Sequence, residues 1–538
     1  MNTERTTDLL GQRLMLAFDG TEPPPHVLEW LARRQAAGFT LFRKLNVRNP
    51  AQVRDLTAAL QQAAARSGQP PLLIAADQEG GQLLALGDET TPFPGNMALG
   101  ATRDAALAKR VGRALGRELA AMGVNVNYAP VCDVNSNPRN PNVGARAFGD
   151  DPDLVAKMGA ALIAGLQQAG VAATAKHFPG NGDSDVDPHD GVPVLPQSRS
   201  QLEDGPFRPF RAAIAAGVRL MMSAHVALPA LTGRPDLPAT VQRPLMHDLL
   251  RREMGFDGVL ISDAMDMGAI SQGAGQIVDA IAALRAGVDV LLLAGETEIQ
   301  ERLYQGLQLA LSRGLLDGDA LKTSVDRVLA LKAWLGTHEQ PPLSVVGCDE
   351  HRRLARKVAR RSITLLRDDG LLPLRPASDA RLALVMPRPA DLTPADTSSY
   401  VRPALSAALR AYHPQVEEFI VDQTPSGADV AALKQQLASY DLLLLVTLSA
   451  SLQPAQAVMA RELLSLGLPT VTVAARTPYD LAAYPQARTH LCTYSIQPPS
   501  MEALAAALFG HIPCRGRLPV SIPALEEEGT QMNTENTD

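Results

Sequence analysis

The amino-acid sequence predicts a two-domain α/β protein, a (β/α)8 TIM-type barrel followed by a three-layer α/β sandwich. Three observations support this prediction. Eight short apolar runs alternate with amphipathic stretches before residue 336, polar side chains follow several of these runs, and a second alternation begins after a Pro-rich segment. Strands that alternate with helices form parallel sheets, and eight such units are the number that closes a barrel.

The strand-like runs in the first part of the chain are short and rich in aliphatic residues. They cover residues 14–18, 39–42, 71–76, 124–129, 171–175, 220–224, 258–261 and 288–293. Amphipathic stretches of helical length lie between most of them, for example 104–122, 154–169 and 276–286. The same alternation also fits an open, doubly wound sheet, so it leaves both folds possible.

Polar residues at the ends of the runs favour the barrel. The residues just past the carboxyl ends of five different runs are Arg43, Asp77, His177, His225 and Asp263. In a barrel these ends meet at one face, where active sites are built. Three of them also have a purely structural explanation: Asp77 could cap the next helix, His225 could be a hydrogen-bonded core histidine, and Arg43 could pair with an acid.

The loop after the fifth run concentrates titratable side chains. It begins with Lys176 and His177, is interrupted by proline and glycine, and ends with Asp187 and His189. Because Asp187 and His189 are two residues apart, their side chains can face the same way in an extended segment. A histidine oriented by a carboxylate exchanges protons near neutral pH. The alternative is a solvated acidic surface loop, which is what most blocks of acidic residues are.

The same loop imitates the start of a calcium-binding loop. Asp183, Asp185 and Asp187 have the required spacing. However, Pro188 takes the position of the necessary glycine, and Val194 takes that of the bidentate glutamate. The metal interpretation is therefore rejected, and no metal or organic cofactor is expected.

Composition and charge exclude several classes of partner. The chain has 538 residues, and its 50 Lys+Arg against 57 Asp+Glu give a formal net charge of -7. A mild, well mixed charge indicates neither a nucleic-acid nor a membrane partner. The four cysteines are far apart, which argues against a zinc site and a disulfide scaffold. Since the N-terminus also lacks an apolar leader, we expect a cytoplasmic protein, while its oligomeric state is not indicated.

The composition changes after Trp334, where a polar, Pro-rich stretch suits a linker. We expect the barrel at residues 1–336, the linker at 337–348, the sandwich at 349–525 and a disordered tail at 526–538. In the sandwich, strands are predicted at 382–386, 416–421, 442–446 and 470–474, and helices at about 349–363, 428–439 and 454–466.

The candidate residues fit one kind of chemistry. A glycosidase needs a carboxylate at the anomeric carbon and a proton donor for the leaving oxygen. Asp263 emerges from an apolar run without a basic neighbour in sequence, and the Asp187/His189 pair offers the proton donor.

Several motifs are similar to those of a known family. They lie at residues 77–81, 96–100, 125–131, 135–138, 146–149, 176–189 and 262–267. On these residues the chain resembles glycoside hydrolase family 3, and within it the β-N-acetylhexosaminidase branch, over about residues 10–335. The segments 362–367, 371–374 and 516–521 resemble the C-terminal domain of that family.

The resemblance implies a retaining exo-β-N-acetylglucosaminidase, whose substrate is a small carbohydrate of the muropeptide or chitin-oligosaccharide type. Asp263 would be the nucleophile, and His189, oriented by Asp187, would be the acid/base. The residues implied to bind the hydroxyls of the terminal sugar are Asp77, Arg146, Lys176 and His177. A histidine acid/base repels anions less than a carboxylate would, so a phosphorylase of β-N-acetylglucosaminides or β-glucosides is one alternative. A non-catalytic sugar-binding barrel is another.

The chain departs from the family pattern at three positions. Asn181 replaces a histidine, Pro188 replaces the serine before the catalytic histidine, and Gln82 replaces an arginine. Asparagine cannot titrate, and a proline restricts the preceding residue to extended conformations. These changes bear on substrate identity more than on reaction class. Because Asp187 and His189 lie in the barrel loop, the second domain is expected to be structural or to shape the cleft.

Overall fold

The computed structural model describes residues 9–522, so the predicted tail at 526–538 lies outside the described residues. Eight parallel strands close into a barrel in the order of the sequence. The strands are β1 Leu14–Leu16, β2 Gly38–Thr40, β3 Leu73–Ala76, β4 Val126–Asn127, β5 Ala172–Phe178, β6 Leu220–Ser223, β7 Val259–Ala264 and β8 Val290–Leu293. The predicted barrel is confirmed, and the open sheet is excluded.

Alternate residues of the strands fill the barrel interior. Leu73 and Ala75 of β3 belong to a buried cluster inside the barrel, whereas Ile74 between them packs with the surrounding helices. This alternation follows from the two-residue period of a strand. The interior is a packed core, as in other barrels of this kind, so binding sites form at the ends of the barrel.

Helices surround the barrel. The α-helices are Pro25–Arg33, Arg43–Asn46, Pro50–Arg66, Asn96–Thr102, Ala105–Ala121, Pro152–Gln168, Arg199–Asp204, Phe207–Ala215, Pro229–Thr232, Ala274–Ala286, Thr297–Ser312 and Gly318–Leu335, together with the π-helix Pro244–Glu253. Local sequence fixes where they begin. Asp151 accepts a hydrogen bond from Asp153 N, and Pro152 takes the first helical position, where its missing N–H costs nothing.

Two strands carry candidate residues within the strand, which corrects the expectation that these residues lie just past it. β5 runs on to Phe178 because Phe178 pairs with Ser223 of β6, so Lys176 and His177 are strand residues. In the same way β7 includes Asp263. β5 and β7 thus end a few residues later than predicted, and Lys176, His177 and Asp263 still lie at the carboxyl end of the barrel.

The second domain is built on a mixed six-stranded sheet. Its strands are β9 Thr364–Arg367, β10 Leu382–Pro387, β11 Val416–Val421, β12 Leu442–Thr447, β13 Thr470–Ala474 and β14 Thr489–Cys492, in the spatial order β9-β14-β13-β12-β10-β11. β9 alone is antiparallel to its neighbour. The sequence prediction missed β9 and β14, which are four residues long and form one edge of the sheet.

Helices cover both faces of this sheet. Its α-helices are Asp349–Ser362, Leu405–Arg410, Gly427–Leu437, Pro454–Leu464, Asp480–Ala483 and Pro498–Leu508. Leu444 packs in one buried cluster with Leu504, while its neighbour Leu445 packs in another with Leu463. The predicted three-layer sandwich is therefore confirmed.

The predicted linker lies against the barrel. Gln340 Nε2 donates to the Ala121 carbonyl at 3.3 Å, and Leu343 and Val346 pack on the main core. The domain boundaries themselves stay a prediction. No helix within residues 9–522 is long and apolar enough to cross a membrane.

Glu118 fastens this segment and the second domain to the barrel. Its buried carboxylate accepts hydrogen bonds from Thr91 N at 2.9 Å, Thr91 Oγ1 at 2.5 Å, Gly347 N at 3.1 Å and His351 Nδ1 at 2.7 Å. Because His351 belongs to the first helix of the second domain, one carboxylate holds three segments together.

Replacing Glu118 with alanine should lower the thermal unfolding midpoint. The change leaves the buried donors of Thr91, Gly347 and His351 without their acceptor, which costs on the order of 3 kcal/mol. Scanning calorimetry of the full chain measures the effect. Glu350→Ala, at an exposed position beside His351, is the matched control and should leave the midpoint unchanged. An equal midpoint in both variants would contradict this role of Glu118.

Candidate active site

A cavity of about 440 Å³ opens at the carboxyl end of the barrel. The five residues predicted to converge all line it, namely Arg43, Asp77, His177, His225 and Asp263. Arg146, Lys176 and His189 line it as well, whereas Asp187 lies behind His189. The structure thus brings every candidate residue to one site.

Lys176 is the centre of a buried ion-pair cluster. Its Nζ lies 2.5 Å from Asp77 Oδ1 and 2.6 Å from Glu79 Oε1. Arg146 holds the same Glu79 with two hydrogen bonds, from Nη2 at 2.8 Å and from Nε at 3.0 Å. The side chain of Asp77 is 25% exposed, whereas those of Lys176 and Glu79 are 2% exposed. Asp77 is therefore the carboxylate of this cluster that a ligand can reach.

Mutual attraction keeps the cluster ionised. Burial alone would raise the pKa of Glu79, but the charges of Arg146 and Lys176 outweigh it and lower that pKa to about 2. Burial would lower the pKa of Lys176, yet Asp77 and Glu79 raise it above its ordinary value. Arg146 likewise has a raised pKa because Glu79 outweighs the effect of burial. Buried charges are stable only when they are paired in this way.

Asn142 connects the ion-pair cluster to the Asp187/His189 pair. Arg146 Nη1 donates to Asn142 Oδ1 at 2.5 Å, and Asn142 Nδ2 donates to Asp187 Oδ1 at 2.9 Å. The same Asp187 oxygen lies 2.7 Å from His189 Nδ1. An amide can serve both neighbours because it carries an acceptor and a donor. Asp187 is thereby held in place by Asn142 as well as by His189.

The Asp187/His189 pair favours the charged form of both partners. Burial would lower the pKa of His189, but its hydrogen bond to Asp187 raises it above the usual value. Burial would raise the pKa of Asp187, but the hydrogen bonds from His189 and Asn142 lower it. The imidazole is therefore a stronger base than a free histidine and can still donate a proton.

Two backbone hydrogen bonds fasten this loop to the segment after β7. Ala269 N donates to the Pro188 carbonyl at 3.0 Å, and Gly268 N donates to the His189 carbonyl at 3.1 Å. A Cβ atom on Gly268 would lie 2.2 Å from that carbonyl oxygen, so glycine permits the close approach. Since Asp263 lies in β7 itself, these bonds bring His189 to the same cavity as Asp263.

Asp263 has an environment that favours the carboxylate. Its Oδ1 accepts a hydrogen bond from Ala264 N at 2.8 Å. Burial would raise the pKa of Asp263, but His177, His225, the Ala264 N–H and Lys176 together lower it below the ordinary value. The side chains that lower this pKa thus come from β5 and from the segment after β6.

His177 is oriented by a buried carboxylate that the sequence prediction did not identify. Asp133 Oδ2 lies 2.7 Å from His177 Nδ1, and Asp133 Oδ1 accepts from Asn181 N at 2.7 Å. Asn181, the first departure from the family pattern, lines the cavity, and its buried Oδ1 has no hydrogen-bond partner among the described residues.

The structural explanations for His225 and Arg43 also hold. His225 is buried, and its Nε2 lies 3.1 Å from the Ala264 carbonyl while Nδ1 lies 2.8 Å from Thr240 Oγ1. Burial lowers the pKa of His225, so its neutral form donates from Nε2. Arg43 Nη2 pairs with Asp88 at 2.7 Å. Both residues line the cavity with their polar groups already engaged by protein partners.

The second domain forms one wall of the cavity. Thr397 N donates to the Gln82 carbonyl at 2.8 Å, and Gln82 Nε2 donates to the Ala395 carbonyl at 3.2 Å. The Gln82 departure thus contacts the second domain. Tyr400 lies on the same wall, with its ring 4.0 Å from the guanidinium carbon of Arg43. The expectation that this domain shapes the cleft agrees with these contacts.

The residues that the sequence prediction missed are those that support others. Glu79, Asp133 and Asn142 each hold a candidate residue without having been assigned a role of their own. Glu79 lies within the motif at residues 77–81, and Asn142 lies between the motifs at 135–138 and 146–149, so proximity to these motifs was the signal that could have identified them. Residues 9–522 contain no group of three or more His, Cys, Asp or Glu side chains that could hold a metal ion.

Comparison with known proteins agrees with the site geometry. The family model described as Glycosyl hydrolase family 3 N terminal domain matches residues 8–331. The chain is 32% identical to Beta-hexosaminidase A of Pseudoalteromonas piscicida, over 96% of this chain and 97% of that protein. It is 31% identical to the Beta-N-acetylglucosaminidase/beta-glucosidase of Cellulomonas fimi, over 95% and 93% of the two chains.

A solved structure is similar over the whole length. The glycoside hydrolase family 3 β-N-acetylglucosaminidase from Paenibacillus sp. str. FPU-7 superposes with a TM-score of 0.91 at 35% identity, covering 96% of this chain and 98% of that one. Both domains are therefore shared with that enzyme. The chain is a glycoside hydrolase, and it belongs to glycoside hydrolase family 3.

Proposed function

We propose that the protein is a retaining exo-β-N-acetylglucosaminidase that hydrolyses terminal β-linked N-acetylglucosamine through a covalent glycosyl-enzyme. The observation that carries the proposal is that Asp263 and the Asp187-oriented His189 line the same cavity. The names of the Pseudoalteromonas and Paenibacillus relatives support the N-acetylated sugar. The Cellulomonas relative carries both activities in its name, so unsubstituted β-glucosides are second substrates to test.

The first step is attack by Asp263. An Asp263 oxygen forms a bond to the anomeric carbon while the glycosidic C–O bond breaks, and His189 transfers a proton to the departing oxygen. The lowered pKa of Asp263 supports the nucleophile role, since the attacking group is the carboxylate. Because His189 Nδ1 is bonded to Asp187, the proton leaves from Nε2.

The second step reverses the proton transfer. His189, now neutral, takes a proton from water, and the water oxygen bonds to the anomeric carbon as the bond to Asp263 breaks. Two displacements at one carbon retain the β configuration. Asp187 stabilises the imidazolium in the resting enzyme and after each turnover, which its ion pair with His189 supports.

The terminal sugar is proposed to bind above the ion-pair cluster. Hydrogen bonds between ionised groups and hydroxyls are stronger than those between neutral groups. Asp77, which is partly exposed, is proposed to accept hydrogen bonds from the sugar hydroxyls. Lys176, Arg146 and His177 are proposed to donate hydrogen bonds to them, and Lys176 also holds Asp77 in place. The wall formed by the second domain would contact the leaving group, which in a muropeptide or chitin-type substrate is a further sugar. The cytoplasmic location stays a prediction.

A phosphorylase is the second candidate function. The acid/base is a histidine rather than a second carboxylate. In the glycosyl-enzyme His189 is neutral, so it repels an incoming phosphate less than a second carboxylate would. Product analysis separates the two functions, since hydrolysis gives free N-acetylglucosamine and phosphorolysis gives the sugar 1-phosphate. If turnover depends on phosphate and releases the sugar 1-phosphate, the protein is a phosphorylase and the hydrolase proposal is wrong.

A 5-fluoro glycosyl fluoride of N-acetylglucosamine should trap the enzyme on Asp263. The fluorine slows hydrolysis of the glycosyl-enzyme, so peptide mass spectrometry should find the label on the peptide that contains Asp263. Asp263→Asn should lose at least about 10³-fold in kcat because an amide is a poor nucleophile. Asp257→Asn, exposed near the start of the same strand, is the control and should keep wild-type activity. Turnover without any trapped adduct would exclude the double displacement.

Asp187→Asn should move the alkaline limb of the pH profile to lower pH. Asp187 raises the pKa of His189, so removal of its charge lowers that pKa, and the acid is deprotonated at a lower pH. We expect a shift of about one pH unit in kcat/KM for N,N′-diacetylchitobiose, whose leaving group needs acid assistance. Asp185→Asn, a 59% exposed carboxylate of the same loop, makes the same charge change and should leave the limb in place. An unmoved limb in Asp187→Asn would refute the assignment of His189.

Lys176→Met should lower kcat/KM about 10²-fold. The variant removes the cation that holds Asp77 and Glu79, and a lost hydrogen bond to a charged group costs on the order of 2–3 kcal/mol. Steady-state kinetics on 4-nitrophenyl N-acetyl-β-glucosaminide measures the loss. Lys157→Met on an exposed helix position is the matched control. Equal kinetics in the two variants would remove Lys176 from the sugar site.

A further inference from the structure

The amino end of the barrel carries a second cleft, which the proposed glycosidase chemistry does not use. It has a volume of about 780 Å³. Arg13, which precedes β1, and Ala286 and Gly287, which precede β8, line it. In a barrel of parallel strands this end is opposite to the face that holds the active site. A ligand in this cleft would therefore bind independently of the sugar substrate.

Cationic side chains dominate the lining of this cleft. The arginines are Arg13, Arg243, Arg251, Arg285 and Arg327, and His247 joins them. Asp317 is the one carboxylate on the lining among the described residues, and its Oδ1 already accepts from Asp319 N and Ala320 N as a helix cap. Asp248 and Asp257 lie beside two of the arginines but outside the lining. The cleft thus presents an excess of guanidinium groups.

The inner arginines share a single buried carboxylate. Asp289 accepts a hydrogen bond from Arg251 Nη2 and lies 3.0 Å from Arg327 Nη1. Arg13 donates to backbone carbonyls instead, from Nε to Asp289 O at 2.9 Å and from Nη2 to Val288 O. Asp289 also accepts from Ser324 Oγ at 2.8 Å. One carboxylate therefore faces three cations and has no further capacity to neutralise them.

Arg251 has a donor without an acceptor. Its side chain is 8% exposed, and its buried Nε has no hydrogen-bond partner among the described residues. Leaving such a donor unsatisfied costs on the order of 1–3 kcal/mol. The remaining nitrogens are engaged, since Nη1 donates to Phe256 O at 2.9 Å and Nη2 donates to Asp289. Nε is therefore the one nitrogen of this side chain that lacks an acceptor among the described residues.

Electrostatic repulsion among the arginines also favours the binding of an anion. Burial lowers the pKa of Arg13 to about 10, and the neighbouring charge of Arg327 lowers it further against the attraction of Asp289. The pKa of Arg251 is lowered by burial and by Arg327 as well. A negative ligand would relieve this repulsion.

We propose that this cleft is a binding site for a small, multiply charged oxyanion of the phosphate class. Guanidinium groups bind phosphate oxygens with paired hydrogen bonds, which suits a lining of arginines better than one of lysines. Arg243 and Arg285 are exposed, so they contact the ligand from the solvent side, and the buried Arg13 and Arg251 add positive charge at the inner end. The volume exceeds what a single phosphate fills, so a diphosphate or an organic phosphate matches it better.

Isothermal titration calorimetry of the full-length protein with pyrophosphate, at matched ionic strength, tests the proposal. We expect one site per chain in the wild type and about tenfold weaker binding in the double variant Arg243→Gln/Arg285→Gln. Both substituted positions are exposed, so the variant should fold. The control is Arg302→Gln/Arg353→Gln, which makes the same charge change at two exposed positions outside the cleft.

The outcomes separate the alternatives. Binding that weakens in the cleft variant and persists in the control supports the site. The absence of binding heat in the wild type overturns it, as does equal affinity in wild type and cleft variant. Equal weakening in both variants overturns it too, because it reduces the effect to net charge. Titration with citrate distinguishes the phosphate class from carboxylates, and tighter binding of citrate than of pyrophosphate would contradict the ligand class.

Discussion

The proposed active site depends on keeping the buried Lys176 ammonium charged at the carboxyl end of the barrel. Burial lowers the pKa of an unpaired lysine, so without partners the ammonium would lose its proton and become neutral. Asp77 and Glu79 provide the two carboxylates that prevent this, and Arg146 balances the second of them. With two cations against two carboxylates the cluster is close to neutral, so it can be buried without a large electrostatic penalty. Rigid charged groups are what a sugar with several hydroxyls requires.

The same cluster also helps to position His189, the proposed acid/base. Arg146 is fixed by Glu79, Asn142 is fixed by Arg146, and Asp187 is fixed by Asn142. A displacement of the ion pairs would therefore pass along hydrogen bonds to the carboxylate that orients His189. The loop around His189 contains no regular structure, so this chain of contacts and the two backbone bonds to Gly268 and Ala269 replace the rigidity that a strand would give. The residues proposed for sugar binding and for proton transfer thus belong to one network.

The sequence predicted those parts of this arrangement that repeat along the chain. The eight strands follow from short aliphatic runs, and Asp77, His177 and Asp263 were found because each sits at the end of such a run. The supporting contacts were not predictable, because they join residues that are distant in sequence. Glu79 and Arg146 are 67 positions apart, and Asp133 and His177 are 44 apart. Pairing of this kind depends on which side chains meet once the barrel has closed, and no local sequence pattern encodes these meetings. The edge strand β9 and its neighbour β14 were missed for a related reason, since each has four residues and gains stability from the neighbouring strands rather than from its own composition.

Buried arginines have different partners at the two ends of the barrel, and this difference is the basis for the proposed anion site at the amino end. At the carboxyl end the donors of Arg146 meet Glu79 and Asn142, so the guanidinium holds other residues and has little left for an anion. At the amino end Arg251, Arg327 and Arg13 surround Asp289, which accepts side-chain hydrogen bonds from only the first two. Folding alone would favour a second carboxylate or an apolar side chain there, since an unsatisfied buried donor is destabilising. The arrangement is consistent with a partner that arrives after folding, because a bound oxyanion completes at this end the charge balance that Glu79 completes at the other.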